Sequence, residues 1–207
     1  MSSLASALRL SNQVVFGTIA VTLYQTKAFN LFALHPILMT MAYYYVCEAV
    51  ISLATSKQVL SRVQSHQKQQ MFAAFLTMVG FTIIYLIKDW ANKLHFQTYH
   101  GLLGSIVATT LIIATIFSTF MFQRYSLSAK LFWFLHGLNG SISVIALWTT
   151  LWLHYGAPNG WFDHNSRIFR QAIPLGGKAA LVVSLGSLLG LLAQIYTARG
   201  NTVKKSK

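Results

Sequence analysis

Four histidines stand at or beside the starts of four successive hydrophobic segments: His35, His66, His100 and His136. If the segments cross a membrane they alternate in direction, so the histidines fall on alternate faces, two to a face. Two neutral imidazoles facing each other across a helix bundle can grip one iron from both sides. Two such pairs, one above the other, make a path for electrons through the membrane. The bland reading is that histidine is common near a membrane interface, and one alone sits there more often than on a metal. Four at alternating helix starts, forming two level pairs, are harder to explain that way. Polar groups inside a membrane bundle are costly and so are usually functional.

The elements that must position these residues follow from composition. The chain has 207 residues, 55% hydrophobic and 9% charged. Soluble domains are about a quarter charged. Apolar runs of about 20 residues mark membrane spans, read here over approximately 8–24, 31–54, 67–87, 101–122, 133–154 and 174–197. Backbone polar groups must be satisfied internally in hydrocarbon, so the spans are helices. The expected fold is all-α: a six-transmembrane-helix bundle with a central four-helix core binding two haems. Short loops leave no room for a second domain, so 1–207 is read as one. The single Cys47 supports no internal disulfide, no Cys-x-x-Cys-His offers covalent haem attachment, and no cleavable signal peptide is evident.

Net charge is +13. In a soluble protein that would suggest nucleic acid; here it reads as topology. Arg9, Lys57, Arg62, Lys68, Arg124, Lys130, Arg199, Lys204, Lys205 and Lys207 fall on one side, and Lys27, Lys88, Lys93, Arg167, Arg170 and Lys178 on the other. The bias of ten against six puts both termini in the cytosol. His35 and His100 then share the outer level, and His66 and His136 the inner. Each pair lies on diagonal helices of a four-helix core, second with fourth and third with fifth.

Two local patterns accompany the histidines. His100-Gly101-Leu102-Leu103-Gly104 and His136-Gly137-Leu138-Asn139-Gly140 both place a glycine four residues after the histidine, on the same helix face. That glycine either clears space for a flat macrocycle or lets helices pack closely. His95 and His164 fall in outer loops and His154 at the outer end of the fifth segment, where an interfacial role is expected. His95, near Lys93, could also touch an external substrate. Glu48 pairs with a neighbouring helix or sits near the inner surface; the sequence does not choose.

Leu31-Phe32-Ala33-Leu34-His35-Pro36-Ile37-Leu38-Met39, then Glu48-Ala49, Tyr99-His100-Gly101 and Leu135-His136-Gly137, resemble the cytochrome b561 family of six-helix, two-haem transmembrane reductases. The resemblance covers roughly 30–155 and looks closest to short forms without extra domains. It implies two haem b groups with axial pairs His35–His100 and His66–His136. It implies electron transfer from cytosolic ascorbate to an acceptor across the membrane, monodehydroascorbate or ferric iron. Lys57, Arg62, Lys68, Arg124 and Lys130 surround the inner level and suit an ascorbate anion, or serve only as anchors to lipid phosphate. On the outer face Lys93, Arg167 and Arg170 could attract an anionic acceptor or a ferric chelate. Expected partners are the lipid bilayer, ascorbate, the acceptor and, in a homodimer, a second copy; nucleic acid is not among them. An endomembrane or vesicle location is expected. The alternative is a transporter or channel using intramembrane histidines as metal or proton sites. A non-catalytic scaffold would leave the paired histidines unexplained.

Overall fold

The computed structural model describes residues 3–25, 30–55, 59–124, 130–156 and 172–205, some of them by backbone alone. They form six long helices: α1 (Ser3–Gln25), α2 (Leu31–Thr55), α3 (Val59–Trp90), α4 (Tyr99–Arg124), α5 (Lys130–Leu151) and α6 (Ala172–Lys205). A π-helical turn, Trp152–Gly156, continues α5. Among the described residues there is no strand. Each of the six helices contains a stretch long and apolar enough to cross a membrane. Their outward faces fit lipid: Ile113, Ile116 and Phe134 are all more than half exposed. The chain is an integral multi-pass membrane protein.

Local chemistry sets several helix ends. Asn30 caps α2, its side-chain oxygen accepting from Ala33 N–H at 3.2 Å. Thr98 caps α4 in the same way, through Gly101 N–H at 3.1 Å. Such caps are worth about 1 kcal/mol each. α3 stops at Asn92, which takes the left-handed conformation (φ 51°). The N–H groups of Asn92 and Lys93 then turn back to the Asp89 and Lys88 carbonyls, a Schellman closure.

α2 packs on α3, α3 on α4, α4 on α5, and α5 back on α2. The four form a closed ring in which α2 faces α4 and α3 faces α5 across the centre. α1 and α6 lie against each other and flank α2. The core holds Val46, Val50, Val107, Leu111, Val144 and Leu147 within the ring, and Leu8, Val15, Leu181 and Leu188 between the flanking pair. Polar side chains tie the flank to the ring. Arg9 donates twice to Glu48, with both bonds at 2.7 Å. Tyr43 and Ser184 share a hydrogen bond of 2.6 Å, and Ser184 donates to Asn12 at 3.1 Å. Glu48 is thus the partner of a neighbouring helix, the first of its two expected roles.

Candidate functional site

The four expected ligands lie on the four ring helices. His35 is in the second turn of α2 and His100 in the first turn of α4. His66 lies two turns inside α3 rather than at its start, because α3 begins at Val59. His136 lies two turns inside α5. All four are half-buried.

Three of them are held in the same manner. His35 Nδ1 lies 2.9 Å from the Gly80 carbonyl of α3. His66 Nδ1 lies 3.2 Å from the Ala49 carbonyl of α2. His100 Nδ1 lies 3.0 Å from the Thr150 carbonyl of α5. A carbonyl only accepts, so Nδ1 carries the proton and donates it. In the neutral ring Nε2 is then the unprotonated atom, the one whose lone pair can bind a metal. Such an outer hydrogen bond fixes the tautomer and the ring direction of a ligating histidine. The α2–α3 bonds are reciprocal, one at each end of the pair.

Sequence reasoning did not find the carbonyl partners, but small residues leave a trace of them. A Cβ on Gly80 would meet Met39 Sδ at 3.2 Å and Leu38 Cβ at 3.3 Å. Glycine there lets α2 approach closely enough for His35 to reach the carbonyl. Ala49 is fully buried and serves in the same way.

At one level His66 and His136 face each other, with ring centroids 6.2 Å apart and planes at 88°. They line an open cavity walled by Val50, Leu111, Val144 and Leu147 and by the polar Gln70, Asn139 and Ser141. The two glycine patterns part here. Gly140 lines this cavity, and a Cβ there would meet nothing within 4 Å. Gly104 instead packs on α5, where a Cβ would touch the Thr150 methyl at 3.4 Å.

At the other level His35 and His100 lie within electrostatic reach of each other. His154 joins them: its ring lies against that of His100, with centroids 4.6 Å apart and planes tilted by 35°. The sequence placed His154 at an interface, and nothing in its spacing pointed to His100. Among the described residues no three His, Cys, Asp or Glu side chains gather as a metal site; an axial pair needs only two.

The residues expected near substrate divide. Arg62 lies one turn before His66 on α3 and is partly buried, and Lys68 is exposed. Lys57 falls outside the described residues, as do Arg167, Arg170 and His164, and Lys130 opens α5 with its side chain undescribed. Lys93 is exposed. His95 stacks on Tyr85, with centroids 4.1 Å apart and planes at 14°.

The family model of eukaryotic cytochrome b561 matches residues 34–131. That stretch, just under half of the chain, is similar to cytochrome b561. The matched stretch contains His35, His66 and His100, and His136 lies just past its end. A curated relative is the transmembrane reductase CYB561D2 of Bos taurus, 28% identical over 94 residues. The similarity covers 42% of each chain, so the chain matches less than half the length of that relative. No solved structure matches the chain.

Proposed function

We propose that this chain is a transmembrane reductase that passes electrons across the bilayer using two haem b groups, one held by His66 and His136 and one by His35 and His100. The observation that carries the reading is the inner pair. A metal–imidazole bond is about 2 Å, so two rings on opposite sides of one metal have centroids roughly 6 Å apart, and His66 and His136 stand at 6.2 Å. The cavity between them is apolar along its walls, and Gly140 adds no side chain to it. The residues fit such a group at the inner level. At the outer level the fit rests on the hydrogen bonds of His35 and His100, which leave both Nε2 atoms free for the metal.

The haem supplies reversible one-electron iron chemistry. The protein supplies ligation, spacing and a dry sleeve. His66 with His136, and His35 with His100, would each supply two imidazoles to one iron, which would favour electron transfer over oxygen binding. Val46, Val107, Val144 and Leu147 keep water out of the ring between the levels. Along α2, His35 and Ala49 are separated by roughly 20 Å at 1.5 Å per residue, so the two levels span most of the hydrocarbon.

The proposed donor is ascorbate on the cytosolic face, near Arg62, Lys68 and the basic positions Lys57 and Lys130. The proposed acceptor is monodehydroascorbate or a ferric chelate on the opposite face, near Lys93 and His95. Both termini are cytosolic in this reading, in an endomembrane or vesicle membrane. Detergent-purified protein should show a b-type spectrum that ascorbate reduces. Acid-acetone should extract the haem completely, with two per chain. One haem per chain, or none, in folded material would sink the two-site reading.

A further inference from the structure

We propose that His154 is a positioning residue for the outer ligand pair: its ring, lying against that of His100 at a tilt of 35°, limits the rocking of that imidazole while the Thr150 carbonyl fixes its tautomer. The inference rests on the reading of His100 as an axial ligand. A hydrogen bond at Nδ1 holds one edge of a ring but leaves it free to rock about that bond. A second flat ring against its face removes this freedom. His100 has both restraints, with the carbonyl at 3.0 Å and the tilted His154 ring at 4.6 Å between centroids. Both come from one stretch of chain, Thr150 at the end of α5 and His154 one turn later.

That stretch is built for the task. His154 lies in the π-helical turn Trp152–Gly156. Widened turns are less stable than α-helix and are frequent at functional sites. The turn is also braced from behind. Trp152 stacks on Trp148, with centroids 5.6 Å apart and planes at 12°. Trp148 in turn donates its indole N–H to the Leu181 carbonyl of α6 at 2.9 Å. A chain of rigid groups therefore runs from α6 through two indoles to the π turn, and from His154 onto His100. His35 completes the level from α2.

The plane of an axial imidazole, relative to its partner's, sets the shape of the oxidised low-spin electron paramagnetic resonance signal and shifts the reduction potential. The test compares the parent with His154→Ala, His154→Phe and His100→Ala, as full chains in nanodiscs, for haem content, low-temperature resonance spectrum and potentiometric titration. H154A should keep two haems, while the sharp outer low-spin line shifts and broadens and the outer potential moves. H154F refills the stack with a flat ring and should restore the parent line. If H154A holds two haems with both lines and both potentials unchanged, the inference fails. If H154A does not fold, H154F decides: a parent-like line supports stacking, and a shifted one overturns it. If H100A keeps a low-spin outer haem that H100A/H154A loses, His154 is itself a ligand and the positioning role is wrong. If H100A keeps both haems and H100A/H154A does too, the reading of His100 as a ligand is what has failed.

Discussion

A histidine that donates Nδ1–H to a carbonyl on the next helix is aimed by two helices at once. His35, His66 and His100 are all aimed this way. Recurrence at segment starts is what singled out the four histidines proposed as ligands. Their carbonyl partners were not legible, because every residue carries the same acceptor and only packing decides which one is reached. The glycines show a similar limit. The two His-Gly-x-x-Gly patterns look alike, yet Gly140 faces the cavity and Gly104 faces Thr150. This difference makes a prediction. Gly140→Leu places a branched side chain in the inner cavity and should lower haem content from two toward one per chain, with the outer signal intact. Gly104→Ala adds one methyl at ordinary contact distance and should leave haem content at the parent level. Pyridine haemochrome assay of both variants checks this; equal haem loss would mean that Gly140 does not border the inner site.

At the scale of the element, hydropathy located every helix but not its ends. Lipid selects apolar side chains only over the hydrocarbon depth, whereas the backbone ladder continues into the headgroups. α3 begins at Val59, eight residues before the expected 67, through Arg62, Gln64, Gln67, Lys68, Gln69 and Gln70. Those residue types are good helix formers, so polarity there marks the interface and not a loop. The π turn after α5 was invisible, since a change of hydrogen-bond register leaves no trace in an apolar pattern. Arg9 counted as one of ten inner charges, yet it is bound to Glu48 and ties α1 to the ring. Glu48→Ala removes two charge-assisted bonds and strands the guanidinium, a loss of about 1–3 kcal/mol. We predict a lower melting temperature in detergent with the haem spectrum unchanged, because α1 lies outside the ring. The double variant Arg9→Ala/Glu48→Ala should be less destabilised than the two single losses added together. Strict additivity would mean that the bridge does not form in the membrane.

For the whole molecule, the ring order α2–α3–α4–α5 makes the two proposed ligand pairs diagonal, and the alternation of the helices puts them at opposite ends. Function then depends on direction. If both termini are cytosolic, the His66–His136 level faces the donor and the His35–His100 level faces the acceptor. The level facing the donor should be indispensable for reduction, and the other indispensable only for delivery. His100→Ala leaves His35 as a single imidazole, which holds a macrocycle weakly and opens the site to water. In sealed proteoliposomes with the inner level facing out, this variant should still be reduced by external ascorbate. It should pass at least tenfold less current than the parent to an acceptor trapped inside. His136→Ala does the reverse: external ascorbate should reduce it slowly, and no trapped acceptor should respond. A protease-cleavable C-terminal tag fixes the orientation of each preparation, so a reversed topology appears as an exchange of the two phenotypes and not as their absence. If His100→Ala delivers electrons to the trapped acceptor at the parent rate in vesicles of known orientation, the two levels do not act in series and the His35–His100 pairing is wrong.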